Sequence, residues 1–313
     1  DGPNSRYATI TEYYDEISGG MVELLGETLP WRSSSLTEAQ VTGGVSALGS
    51  PGRIGEFIFQ VLMTHTDVDW GRYDNDGPDG VPNSGDDDGY VDVLAVMHPN
   101  YGAECDGSDD QIWSHKWTLS SAMGQVYVTE TDAAGGGKIR IDDYTVQPVL
   151  SCDEASINEI GVLAHELGHG FGLPDLYDTQ GRHNGIGRWG LMGSGSWGCS
   201  SGTPERPCSM EAWSKAQLGW VDVVHLAEGQ DLGTFTFEPV ETSRQAYRID
   251  GPPGSEQYFL IENRQRFGFD QNLMDTGLLV WHVDDDIVED RWASNRVNVD
   301  GDRMGVHLVQ ADG

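Results

Sequence analysis

The stretch HELGHGFGLPD, residues 165 to 175, carries two histidines four apart, a glutamate between them and an aspartate six residues after the second histidine. All are residue types that bind metal or move protons. In a helix, positions four apart lie on one face, one turn apart, so His165 and His169 would aim two imidazoles at one point. Glu166 would project roughly 100° away, able to reach a water on a shared ion without being a ligand. This is the H-E-x-x-H arrangement of zinc hydrolases, with Glu166 as general base. A catalytic zinc needs a third protein ligand and one open position. Were the helix to run on, Asp175 would sit about 9 Å farther along its axis, out of reach of the ion. Gly172 and Pro174 stop it, since glycine adopts the left-handed conformation that reverses a chain and proline forbids continuation. Asp175 is therefore the expected third ligand. Glu211, Asp178 and His183 are alternatives, but none of them gives Gly172 a comparable task.

These side chains need a helix to hold them. Ile157, Ile160, Leu163, Ala164 and Leu167 recur at three- and four-residue steps, which predicts a helix from about Glu154 to Gly170 with Ser156 or Asp153 as cap. A second helix, MEAWSKAQLGW, is expected after Ser209. TEYYDEISGGMVELL and GEFIFQVLMTH carry further helix signals, VDVLAVMH (91–98) reads as a buried strand, and KIRIDDYTV (138–146) alternates like one. Beyond Val221 the texture turns to short apolar or alternating runs, GTFTFEPV, QAYRID, EQYFLIEN, GLLVWHVDD and GVHLVQADG, the mark of a β-rich portion. GGGK at 135 to 138 lacks the spacing of a phosphate loop and is expected to be a hairpin turn.

Composition limits the partners. Against 18 basic residues stand 51 acids, a formal net charge of −33, which repels nucleic acid and anionic membranes. No window approaches the roughly 20 apolar residues of a membrane span. Four cysteines allow three pairings. Cys199 and Cys208 bracket the turn-rich SSGTPERP, which a disulfide would staple, leaving Cys105 with Cys152. Free thiols in a reducing compartment are the other reading, and the acidity favours disulfides in a secreted chain. The opening DGPNSRYATI looks processed or trimmed, and the run at 305 to 313 stops as though the natural protein continues.

The segment YDNDGPDGVPNSGDDDGYVD, residues 73 to 92, concentrates Asp74, Asp76, Asp79, Asp86, Asp87, Asp88 and Asp92 among glycines. Oxygen donors at close intervals on a sharply turning backbone suit calcium. Pro78 falls at position five of any EF-hand frame, so this is no EF-hand. A solvated acidic loop is the alternative, but its carboxylates would repel one another without a cation. VDDD (283–286) and NVDGD (298–302) read at least as well as solvated acids.

HELGHGFGLPDLYD, RWGLMGSGSW (188–197) and AWSKAQLGW (212–220) together resemble the immune inhibitor A family of secreted metallopeptidases. TEYYDEISGG, YDNDGPDG with DDDGYVD, IWSHKW and GLLVWHVDD extend the resemblance over nearly the whole chain. It implies a metzincin-type site in which His165, His169 and Asp175 hold zinc, Glu166 is the base and Met192 is the methionine of the turn beneath the metal. Ser194 stands where some metzincins carry a tyrosine that assists the oxyanion, so no second catalytic group is assigned.

The expectation is an α+β, metzincin-like zinc peptidase domain with a twisted mixed sheet and an active-site helix, residues 1–225, and a β-rich subdomain, 226–313, packed on it or following it. It would be a secreted, extracellular, monomeric endopeptidase acting on proteins or peptides, with catalytic Zn2+ and structural Ca2+ bound by Asp74, Asp76, Asp79, Asp86, Asp88 and Asp92. A zinc hydrolase of non-peptide amides, and a calcium-dependent adhesion protein with a vestigial zinc site, are the alternatives. An intact Glu166 argues against the vestigial case.

Overall fold

A computed structural model describes residues 7–200, 202–226 and 235–310. Helices and several sheets make this an α+β protein, and its internal contacts divide it into two units, residues 26–158 and residues 1–25 with 159–313. No helix among the described residues is long and apolar enough to cross a membrane.

In the 26–158 unit, strands β1 (Leu94–His98), β2 (His115–Thr118) and β5 (Asp143–Pro148) form a sheet in the order β1-β5-β2. The β1 strand runs parallel to β5 and β2 antiparallel to it, so the sheet is mixed. Strands β3 (Tyr127–Asp132) and β4 (Lys138–Ile141) form a hairpin whose turn contains the GGG run. The helix Ile54–Leu62 buries Ile54, Ile58 and Leu62 in a core shared with Val96, Ile139, Ile141, Tyr144 and Val146. KIRIDDYTV, expected as one strand, is two in different sheets. Asp142 breaks it, because its carbonyl and carboxylate accept the Leu119 and Ser120 amides at 2.9 and 2.7 Å and so hold the start of the helix Leu119–Met123. A disulfide joins Cys105 to Cys152.

The other unit contains the helices Ile10–Ser18, Ile160–Gly170 and Ala212–Gln217. Its five-stranded sheet comprises β6 (Asp222–His225), β7 (Gln245–Asp250), β8 (Gln257–Arg264), β9 (Gly277–Asp284) and β10 (Val306–Leu308), in the order β10-β9-β8-β7-β6. Only the β6–β7 pairing is parallel. GTFTFEPV forms no named strand over 235–240, and its first two residues lie outside the described ones, as do the last three of GVHLVQADG. Thr9 and Glu12 close a capping box at the head of the first helix, and Gly19 ends it in the left-handed conformation. Its Tyr13 and Tyr14 are fully buried, donating hydrogen bonds to the carbonyls of Cys208 (2.7 Å) and Ala164 (2.6 Å). Arg264, also fully buried, is bonded to Asp270 (2.7 Å) and to the Trp189 carbonyl (3.0 Å), tying β8 to the segment that precedes Met192. Cys199 and Cys208 are bonded to each other.

The helix bearing the histidines starts at Ile160 with Glu159 as N-cap, six residues later than periodicity suggests. Ile157 is in phase with the apolar face but bridges to Leu150 and is 64% exposed. Asp153 spends its carboxylate on the amides of Ala155 and Ser156, and Glu154 is left-handed at φ 58°, so local turn bonds displace the first turn of helix. At Gly161 an added Cβ would lie 2.0 Å from the Ser196 carbonyl, so only glycine lets the helix approach that loop.

His98 is 2% exposed with no hydrogen-bond partner on either ring nitrogen. Burial pushes it down to about 4, with His115 adding to the shift. His115 is likewise pushed down to about 4 by burial, against the opposing bond to the Trp113 carbonyl. With folded values below the unfolded value of about 6.5, both stabilise the fold fully above that pH, and the contribution is lost as pH falls from about 6.5 to 4. Urea unfolding of wild type and His98→Gln at a series of pH values should show a shallower acid loss in the variant; parallel slopes would refute the assignment.

Candidate metal centre

His165 and His169 leave the same face of the helix Ile160–Gly170, their rings 4.9 Å apart and nearly perpendicular. The chain then reverses at Gly172, whose φ of 95° favours glycine. That reversal returns Asp175 to the histidines: its Oδ1 lies 3.0 Å from His165 Nε2 and 3.3 Å from His169 Nε2. These residues form a compact donor group with ligand atoms within 4.8 Å of one another. His165 is 8% exposed and Asp175 5%.

Backbone carbonyls settle which ring nitrogens face the centre. His165 Nδ1 lies 3.0 Å from the Leu191 carbonyl and His169 Nδ1 2.7 Å from the Leu173 carbonyl. A carbonyl only accepts, so each Nδ1 carries the hydrogen, and in a neutral ring Nε2 presents its lone pair to Asp175. Two lone pairs and a carboxylate oxygen this close repel unless a positive charge lies among them. The donor set fits a metal ion: bonds of about 2.0–2.1 Å in a tetrahedral site place neighbouring donors roughly 3.3 Å apart. The same need shows in proton affinities. Burial, the largest single influence, would lower His165, but the bond to Asp175 and the charges of Asp175 and Glu166 together outweigh it and the ring is raised; burial would raise Asp175, but the two imidazoles hold it far below the carboxylate range.

Glu166, 4% exposed, follows His165 on the helix, and its charge helps burial to push the Tyr14 phenol well above its usual range. Met192 is fully buried with its sulfur against Gly168, where an added Cβ would meet it at 2.5 Å, and its carbonyl accepts the Leu176 amide. The methionine thus lies under the helical turn between the two histidines. The alternative ligands are engaged elsewhere. Glu211 is the buried N-cap of the helix Ala212–Gln217, and Asp178 accepts Arg182 and the Gln180 amide, with His183 3.9 Å away. Ser194 opens a short 3-10 turn.

Three groups that the motif's defining positions do not specify complete the surroundings: the Leu173 carbonyl within the stretch, and the Leu191 carbonyl and Asn295 outside it. Asn295 accepts the Asp175 amide and donates to Asp175 Oδ2, both at 2.6 Å. It lies 120 residues from its partner in an ordinary polar stretch, and backbone carbonyls have no sequence signature. Of the acidic loop, the structure brings together Asp74, Asp76 and Asp87, adding Asp87 to the first two of the expected set. Asp79, Asp86, Asp88 and Asp92 accept amides of the loop, those of Val81, Asp79, Tyr90 and Asn75, as Asp76 also does from Asp88 and Asp87 from Gly77 and Ser84.

Two histidines and a carboxylate converging at such a helix, with a buried glutamate beside them, fit a metallopeptidase domain. The sequence model of the immune inhibitor A peptidase M6 catalytic domain matches residues 2–221, and the chain belongs to that family. It is 31% identical over 238 residues to the pre-pro-metalloprotease PrtV of Vibrio cholerae serotype O1 (strain M66-2), covering 69% of this chain and 24% of the relative. It is 30% identical over 266 residues to immune inhibitor A of Bacillus thuringiensis subsp. alesti, covering 77% of this chain and 38% of the relative. The chain thus spans less than two fifths of the length of these relatives.

A β-branched side chain at Gly172 would strain the reversal by roughly 1–2 kcal/mol. Gly172→Val should displace Asp175 and lower the metal retained after dialysis, measured by atomic emission. Full retention would show that the reversal does not position the third donor.

Proposed function

We propose that this chain is the catalytic part of a secreted zinc endopeptidase of metzincin type, with His165, His169 and Asp175 as zinc ligands and Glu166 as general base. The observation that carries the reading is the convergence of both Nε2 atoms on Asp175 Oδ1, with each Nδ1 spent on a backbone carbonyl. Zinc, when bound there, polarises a scissile carbonyl and lowers the pKa of water toward about 7.

The protein's own groups supply the rest. The Leu191 and Leu173 carbonyls hold both rings in the ligating tautomer. Glu166 takes the proton of the attacking water and delivers it to the amide nitrogen as the peptide bond breaks. Met192 supports the turn from below. Residues 1–225 form the catalytic domain in this reading, with the β-rich 226–313 packed on it; the Asn295–Asp175 bonds support that packing. Two disulfides support secretion. Proteins are the proposed substrates, in keeping with the relatives' names.

Glu166→Ala should retain zinc yet lose casein cleavage by roughly 100- to 10,000-fold. A variant that binds zinc and still cleaves at the wild-type rate would remove Glu166 from the mechanism. No cleavage by the zinc-loaded wild type would count against the peptidase reading itself.

The same proposal gives the acidic loop a structural calcium ion, held by Asp74, Asp76 and Asp87. Asp74 is 1% exposed and its Oδ1 accepts no hydrogen bond. Burial, with the charges of Asp87 and Asp88, pushes its carboxyl up to about 6, and a cation would reverse that. Calcium removal by a calcium-selective chelator, or Asp74→Asn, should leave zinc bound but open residues 73–92 to chymotrypsin, which cuts after Tyr73 and Tyr90. A calorimetric titration without calcium binding would exclude the ion.

A further inference from the structure

The loop that carries Asp175 is held from outside the stretch the family model matches, by the turn at residues 292–298. Trp292 Nε1 donates to the Gly172 carbonyl and Asn298 Nδ2 to the Leu176 carbonyl, both at 2.9 Å. Between them Asn295 grips Asp175 at two points, accepting its amide and donating to its Oδ2, both at 2.6 Å. The grip is anchored in turn. Asn298 is fully buried and exchanges bonds with both backbone groups of Val306 in β10. Asn295 itself is left-handed at φ 54°, a conformation asparagine tolerates better than most residues, and its amide donates to the Trp292 carbonyl.

We propose that Asn295 is a positioning residue of the metal centre, holding Asp175 with Oδ1 toward the two imidazoles, so that metal affinity depends on the turn 292–298. The inference rests on reading His165, His169 and Asp175 as the ligands. A carboxylate has two equivalent oxygens and a free torsion. Unheld, it swings between one- and two-oxygen contact or turns away from the histidines. With Oδ2 bonded to the Asn295 amide and the Asp175 backbone bonded to the same side chain, neither motion occurs without breaking a bond. The amide is neutral, so it fixes the carboxylate without cancelling the negative charge that the cation needs. Groups that orient metal ligands in this way are worth roughly 10- to 100-fold in affinity.

The experiment is zinc binding by the whole chain, stripped with chelator and titrated in competition with a chromophoric chelator, alongside the visible spectrum of the cobalt-loaded form. Asn295→Gly keeps the left-handed backbone accessible and removes the amide. Asn295→Asp keeps the shape but sets a second carboxylate against Asp175. Both should weaken zinc binding, the glycine variant by roughly 10- to 100-fold and the aspartate variant by more. The cobalt spectrum should change, while the metal-free melting temperature of Asn295→Gly stays near wild type. Zinc affinity within about twofold of wild type in both variants would overturn the proposal. If the metal-free glycine variant melts early, the aspartate variant alone decides in the same way. His169→Ala serves as the control: wild-type zinc affinity there would overturn the ligand reading, and this inference with it.

Discussion

Two imidazole nitrogens held 3.0 and 3.3 Å from one carboxylate oxygen are a repulsive arrangement unless a positive charge lies among them. Much of the surrounding structure is the framework that keeps these atoms in place. The two rings are turned by carbonyls on either side, from Leu191 and from Leu173, and both depend on sharp local backbone. Leu173 is in position because Gly172 reverses the chain. Leu191 is in position because the glycine-rich stretch 190–195 folds under the helix and seats Met192 against Gly168. A side chain at Gly168 would push the Met192 sulfur aside, so the small residue between the histidines lets the methionine sit close beneath the helix.

The framework is anchored in three directions. Tyr14 bonds the carbonyl of Ala164 from one side of the helix, one residue before His165. Arg264 reaches from β8 to the carbonyl of Trp189, and its charge is matched by Asp270, which also accepts the Ser209 amide beside the Cys199–Cys208 disulfide. A fully buried arginine with such partners adds little net stability compared with apolar packing, yet losing one partner leaves a stranded charge and costs about 3–5 kcal/mol. That asymmetry favours one arrangement of the loops under the helix over nearby alternatives. The third anchor is the turn 292–298, bonded to the Asp175 loop on one side and to β10 of the five-stranded sheet on the other.

The excess of acids has two different consequences in the two units. In the unit that holds the two histidines, buried Asp175, Asp178, Glu211 and Asp270 are matched by imidazoles, by arginine or by backbone amides. In the loop 73–92 three carboxylates converge with one of them buried, and among the described residues no basic group forms an ion pair with them. Repulsion of that kind is tolerable on an exposed loop in water, where the dielectric is high, but much less so for a carboxylate as enclosed as Asp74.

What the sequence determined by itself is the part of the site written in local spacing. His165 and His169 share a face because a helix repeats every 3.6 residues, and Asp175 returns because glycine and proline end that helix in a known way. The Cys199–Cys208 link was legible for the same reason: both cysteines flank one short turn. Local pattern misled where a side chain found a better partner than the regular element offered. Asp153 and Asp142 each did so, delaying a helix in one case and dividing a strand in the other. Only the tertiary structure decided the rest. Asn295, the Leu191 carbonyl and Tyr14 reach the site from 26 to 150 residues away along the chain. A carbonyl is chemically the same at every residue and an asparagine is common in any turn, so their roles arise only when folding brings them beside the two histidines and Asp175.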